Sequence, residues 1–298
     1  MVLARIIWYG ITAPPTLTVS KCFDVPGKTD ILLCKFREVD TTSLLAKYGA
    51  LYNFYSVTDA RGIAATGWRV PAITDYQYLS LYIGGFLGGG KLKQTGFDYW
   101  VPPNDGAVNQ FNFNATGSGT RTYTGGDFAD MNKNCNLITC SDAGYGNYHY
   151  VQLVSGRTWF NIGWAFNYNN GGTARVLKNA PTADDLLLPD GYYGGSYTGN
   201  DGKQYATVKI GIQVWLAENL CETKYRDGSL IPIVTDNTAW AALTTGAMCY
   251  YNNDINNAFS QAYIPYKVDK ILGQLRTVGG VGTFGRNDVL LGAYRVGE

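Results

Sequence analysis

With 298 residues, 46% of them hydrophobic and only 16% charged, the chain can build a real core, and its composition argues against disorder. Its 37 glycines and 23 tyrosines suit short strands joined by turns, since Gly accepts φ > 0 without strain, and suit a long helical bundle poorly. A formal net charge of +1, from 24 Lys and Arg against 23 Asp and Glu, offers no basic excess, which disfavours binding to nucleic acid or to an anionic membrane surface.

In chain order, the first apolar run is Ile6-Ile7-Trp8-Tyr9. It is too short for the hydrophobic region of a signal peptide and far too short to span a membrane, so it reads as a first β-strand or an assembly arm. No later segment is apolar for long enough to cross a bilayer. Residues 1–45 read as a strand-rich N-terminal arm, punctuated by Pro14-Pro15 and Pro26-Gly27, with a strand over Asp30 to Phe36. Residues 46–180 read as a compact domain. Its helix opens at Thr74, a fitting N-cap with Gln77 at the capping-box position. That helix puts Tyr78, Leu79 and Tyr82 on the core side and ends at Gly84-Gly85. Residues 181–200, with Pro181, Pro189, Asp190-Gly191 and Gly194-Gly195, read as a linker or long loop. Residues 201–298 read as a C-terminal β-rich unit. Thr207 to Leu216 alternates as a hairpin with Gly211 at its turn, and a helix over Thr235 to Leu243 is capped near Asp236 and stopped by Gly246.

The six cysteines are Cys22, Cys34, Cys135, Cys140, Cys221 and Cys249. A chain of this length needs no staples to fold, and the low density points to mostly reduced thiols. Cys135 and Cys140 are close enough in sequence to pair, but their spacing fits no standard zinc motif.

A dense series of marked residues runs through the middle domain. Tyr48-Gly49-Ala50-Leu51-Tyr52-Asn53-Phe54-Tyr55 comes first, then Gly67-Trp68-Arg69-Val70-Pro71, then Gly89-Gly90-Lys91-Leu92-Lys93-Gln94-Thr95-Gly96. This order resembles the Fibrobacter succinogenes major paralogous domain, a family related to C-type-lectin-like folds, over roughly 48–180. The C-terminal unit resembles the family's opening half, in Asn200-Asp201-Gly202-Lys203-Gln204-Tyr205, Thr207 to Gly211, Gln213 to Leu220 and Lys224 to Gly228. In the family that half comes first; here it follows. The resemblance therefore implies an α+β, strand-rich fold with a C-type-lectin-like domain in a permuted arrangement, of the sort found in bacteriophage structural proteins. The displaced half has three physical readings: it completes the sheet of 46–180 in cis, it stands as a separate domain, or it completes a neighbouring subunit's sheet by strand addition. Because an unpaired strand edge is usually covered, completion in cis or in trans is favoured over a free-standing unit.

Catalytic designs find little support. His149 is the single histidine, which removes most acid–base and triad arrangements; among Tyr145-Gly146-Asn147-Tyr148-His149-Tyr150 it reads as a packed or surface aromatic. Asp184-Asp185 and Asp127 with Asp130 read as solvated loop acids, because a calcium site needs several oxygen ligands converging from one loop. Gly88 to Lys91 lacks the spacing and the following Ser or Thr of a phosphate loop. Related folds include formylglycine-generating enzymes, which use a cysteine pair, but Cys135 and Cys140 lie in no matching motif. A glycan hydrolase would need two converging carboxylates, and no motif supplies them. The expectation is a non-enzymatic protein with no cofactor and no metal.

The best binding candidate is Trp159 to Asn170. Tyr, Trp and Asn supply rigid contact area and adaptable hydrogen bonds, and in some relatives this part of the fold is diversified for ligand binding. The candidate ligand-binding residues are Asn161, Trp164, Asn167, Tyr168 and Asn169, with Asn161, Asn167, Tyr168 and Asn169 exposed under strand alternation. The opposing reading is core packing of Trp159 and Trp164. The functional expectation is a bacteriophage virion protein: a fibre, decoration or receptor-binding component. Its partners would be other virion proteins, copies of itself and a host surface glycan or protein. The alternative is a secreted or cell-surface binding protein of a Bacteroidetes-like bacterium.

Overall fold

The computed structural model describes residues 48–258 in full, together with the backbone of three flanking strands. Those three are β1 (Thr18–Asp24), β2 (Leu32–Val39) and β16 (Tyr266–Lys267). Between them run β3 (Leu51–Tyr52), α1 (Phe54–Val57), β4 (Trp68–Arg69), α2 (Ile73–Ile83), β5 (Ser118–Arg121), β6 (Phe128–Met131), β7 (Asn134–Gly144), β8 (Asn147–Val154), β9 (Asn161–Asn167), β10 (Gly172–Thr173), β11 (Leu177–Lys178), α3 (Ala183–Leu187), β12 (Tyr193–Thr198), β13 (Gln204–Ile210), β14 (Gln213–Leu216), α4 (Asn237–Ala241) and β15 (Met248–Cys249). The chain is strand-rich with few, short helices, as expected. The Ile6 to Tyr9 run and the alternation beyond Lys267 lie outside the described residues.

Two units result. In the small one β1 pairs antiparallel with β2, and β2 pairs antiparallel with β16. The strand expected from Asp30 is β2, which begins at Leu32.

The larger unit holds two sheets. One runs β15-β3-β10-β7-β5-β6, with β8 and β9 branching from β7; the other runs β12-β13-β14-β11-β4. Both orders interleave the two halves of the chain. Trp215 of β14 lies opposite Leu177 of β11, and Cys249 of β15 lies opposite Leu51 of β3. The segment after residue 200 therefore completes, in cis, the sheets of the segment before 180. The stretch expected as a linker does not read as one in space. Thr182 caps α3, and Tyr193–Thr198 is the outer strand of the second sheet. Its turn is fixed because the Asp190 carboxylate accepts from the Lys209 ammonium at 2.7 Å and from the Gly211 N–H at 2.9 Å.

Alternation along β7 and β8 feeds two cores. Ile138, Tyr148 and Tyr150 face a cluster with Tyr52, Leu216 and Met248, while Cys135, Leu137, Val151 and Leu153 face one with Tyr76, Trp100 and Trp215. Each such large side chain contributes on the order of 2 kcal/mol by leaving water. Cys135 and Cys140 are both free, and each packs against a different cluster, which separates them.

Helix α2 buries Tyr76, Leu79 and Ile83, the i, i+3, i+7 stripe of a helix. Tyr78 and Tyr82, expected inside, are exposed. The helix starts two residues earlier than Thr74 suggested, with Ala72 as N-cap: the Asp75 carboxylate accepts the Ala72 N–H at 2.8 Å, and Ser141 Oγ accepts the Ile73 N–H. It ends at Gly84, whose φ of 102° only glycine adopts freely. The cap expected near Asp236 is present, with Asp236 accepting the Ala239 N–H at 2.7 Å.

Candidate functional site

The polar residues of the sequence motifs lie at the seam between the two halves. Asn53 is fully buried; its Oδ1 accepts the N–H groups of Ser56 and Ala247, and its Nδ2 donates to the Thr245 carbonyl. Asn219 donates to the Tyr48 carbonyl and to Thr116 Oγ1, and accepts from Arg175 Nε at 2.8 Å. Arg175 itself, fully buried, also donates to the carbonyls of Phe113, Asn114 and Leu216. Burial pulls its guanidinium down to about 10, yet it stays charged at neutral pH because that value lies far above 7.

Arg121 repeats the device. It donates to the carbonyls of Gly126, Val234 and Thr235 and to Asn237 Oδ1, between the rings of Phe128 and Trp240. Lys93 donates to the carbonyls of Val154, Ser155 and Arg157. Each buried cation has its N–H groups met by several carbonyls, the condition under which a buried charge is tolerated. Of the three cations, Lys93 stands within one of the motifs. For Arg175 the available signal was a lone Arg inside an apolar run, Thr173-Ala174-Arg175-Val176-Leu177, which the fold places between β10 and β11.

The remaining candidates from the sequence also serve structure. Asp185 pairs with Lys178 and caps Thr182. Asp127 accepts from Asn237, and Asp130 accepts from Asn134. Gly90 sits where a Cβ would lie 2.1 Å from the Gly106 carbonyl oxygen, so the glycine run serves close backbone approach. His149 presents a buried Nδ1 without a hydrogen-bond partner. No group of three or more His, Cys, Asp or Glu that could hold a metal occurs among the described residues, and no helix among them is long and apolar enough to cross a membrane.

A different surface lies around β9. This strand pairs with β8 and with no other strand among the described residues. Its register to β8 shifts between Ile162 and Trp164, leaving Gly163, with φ of 88°, as an extra residue. Such a bulge breaks alternation, and Gly163, Trp164 and Ala165 are consecutively exposed. Trp164 is 61% exposed. Phe166, by contrast, stacks on Tyr150 with ring centroids 3.7 Å apart.

The five predicted binding residues do not form one open surface. Asn161 is buried, because the bulge displaces the alternation that would have exposed it. Asn167 Oδ1 accepts the Asn169 N–H, and Asn169 Nδ2 donates to the Ala241 carbonyl. The Tyr168 hydroxyl donates to Asp142 at 2.7 Å, a bond that holds the Asp142 carboxyl below its usual value. Only Trp164 presents its side chain broadly to solvent. Nor are Trp159 and Trp164 core residues.

Sequence reasoning missed what lies beside the strand. Helix α2 turns Tyr78, Leu81 and Tyr82 outward, and Phe86 and Leu87 follow it, all exposed. Phe86 packs on Trp159 at 5.3 Å, and the Arg157 guanidinium lies 5.0 Å from the Trp159 ring. The Phe160 N–H donates to the Phe86 carbonyl, tying the entry to β9 to this turn. Phe86 and Trp159 thus form an exposed aromatic pair at the entry to β9.

Residues 34–159 match the family model of the Fibrobacter succinogenes major domain. This stretch is similar to that family. No curated protein and no solved structure matches the chain. The Fibrobacter succinogenes major domain stretch contains Asn53, Lys93 and Arg121, whereas the partners Val234, Thr235, Thr245 and Ala247 lie beyond it. It ends at Trp159, just before β9.

Proposed function

We propose that this is a non-enzymatic recognition or assembly protein, a structural or adhesion component of a bacteriophage virion whose C-type-lectin-like body presents β9 to a partner. The observation that carries the reading is Trp164, 61% exposed on an edge strand whose flanks are pinned to a rigid body. An indole held in that way gives large contact area at low entropic cost. Asp127, Asp130 and Asp185 are engaged in structural hydrogen bonds and an ion pair, which supports recognition over catalysis. A host surface glycan or protein is the partner at β9, and other virion proteins or copies of the chain are its partners in assembly.

The family match also favours a second reading, a secreted or cell-surface binding protein of a Bacteroidetes-like bacterium. Gold-labelled antibody against the full chain separates the two. Label on purified particles, with adsorption blocked by the same antibody, is the expected result. Label confined to the envelope of uninfected cells establishes the second reading and overturns the first.

A further inference from the structure

The small unit places two cysteines in register. The antiparallel pairing of β1 with β2 sets Cys22 directly opposite Cys34. Opposite residues of an antiparallel ladder share a face, with Cα atoms about 4.5 Å or about 5.5 Å apart according to which alternating position they occupy. Both separations fall within the window of roughly 4.4–6.8 Å that a disulfide requires. The register shift lies between Val19 and Lys21, and the ladder from Lys21 to Asp24 is regular. The pair therefore sits in an undistorted stretch.

Cys135, Cys140, Cys221 and Cys249 are free. Cys135, Cys221 and Cys249 are buried in three different core clusters, and burial pushes each of these thiols up to about 12. They are poor nucleophiles, because the thiolate is the reactive form.

We propose that Cys22 and Cys34 form a dithiol–disulfide pair that closes on exposure to a small-molecule disulfide and covalently fixes the register of β1 with β2. The chemistry is thiol–disulfide exchange with oxidised glutathione as the oxidant. One cysteine loses its proton, and its thiolate attacks the glutathione disulfide. A mixed disulfide forms and one glutathione thiolate leaves. The second cysteine, also deprotonated, attacks the protein sulfur of that mixed disulfide; the Cys22–Cys34 bond forms and the second glutathione thiolate leaves. Two electrons pass to glutathione, and the two protons end on the released thiols. The inference is independent of the recognition face.

The experiment treats the folded full-length chain with increasing oxidised glutathione, quenches with an alkylating agent, and maps non-reduced peptides by mass spectrometry. The expected product links the Cys22 peptide to the Cys34 peptide within one chain, lighter by two hydrogens and reopened by dithiothreitol. Cys135, Cys221 and Cys249 should become alkylated only after unfolding. In C34S, Cys22 should stop at the mixed disulfide with glutathione, and in C22S, Cys34 should do the same. Glutathione retained on both cysteines without a link, links only between separate chains, or no reaction at either position would each overturn the proposal.

Discussion

The seam between the halves and the face around β9 distribute polar and apolar groups in opposite ways. At the seam, charged and amide side chains are inside: Arg121, Arg175, Asn53 and Asn219 are buried and hydrogen-bonded to segments distant in sequence. Around β9, aromatic and aliphatic side chains are outside: Trp164, Leu81, Phe86 and Leu87 are exposed. A buried cation is stable only when its donors are met, so the seam tolerates little change. An exposed indole contributes little to folding, so the face is free to vary. The polar residues of the motifs are thus chiefly a signature of how the body closes, and the proposed recognition face lies where the burial rule is broken.

The harshest way to break this comparison is to remove one side of the seam. A chain ending at Gly195 lacks β13, β14 and β15, and with them the Leu216, Val234 and Thr235 carbonyls that hold Arg175 and Arg121. It should be insoluble, or soluble without a cooperative melt. A sharp thermal transition in that fragment, seen by calorimetry, would refute the seam as a single structure. Next in size is Arg175→Met, which keeps volume and leaves the Phe113, Asn114 and Leu216 carbonyls without their donor. We expect a loss of about 3–5 kcal/mol in urea unfolding, since each buried orphan costs about 1–3 kcal/mol.

The legible parts of this molecule are those governed by local chemistry. Asp236 announced its helix because a carboxylate cap acts on N–H groups within one turn. Gly211, with φ of 61°, announced its hairpin for a similar reason. The illegible parts depend on contacts far along the chain. Arg121 reaches the Val234 carbonyl, 113 positions away, and no spacing rule encodes that. Asn161 was misplaced because the extra residue at Gly163 puts it out of phase with Asn167, with which simple alternation groups it. The outward stripe of α2 was misplaced because Tyr and Leu occur on both faces, and packing on the sheet decides between them. Of the candidate site, only the segment was legible. Which members stay open depends on bonds such as Asn169 to Ala241.

The seam also has a pH signature. Glu222 is fully buried and accepts N–H groups from Asn200, Asp201, Thr223 and Lys224. Burial, followed by the nearby Asp201 carboxylate, raises its carboxyl from 4.5 to about 7, against the opposing pull of the backbone donors. Between those values the folded chain holds a proton that the unfolded chain has lost, so this group's contribution to stability should fall as pH rises through the window. The acids whose values are lowered, Asp201 and Asp190 among them, act with the opposite sign at lower pH. Glu222→Gln should flatten the decline above pH 4.5 and leave the acid limb in place. Denaturant midpoints measured across the window decide it; an unchanged slope in the variant would refute the assignment.

The smallest expected effect on folding is the most informative about function, because it separates two residues of one segment. Asn169→Ala removes the donor to the Ala241 carbonyl and should cost about 1 kcal/mol. Any change in binding should then track the fraction folded. Trp164→Ala removes a side chain 61% exposed and should shift stability by less than about 0.5 kcal/mol. Its effect should appear in recognition alone, as weakened retention of the purified chain on intact host cells or on immobilised envelope glycans. If Trp164→Ala binds like the parent while retaining its melting temperature, the exposed indole has no part in recognition. The exposed stripe of α2 with Phe86 and Leu87 would then be the surface that meets the partner.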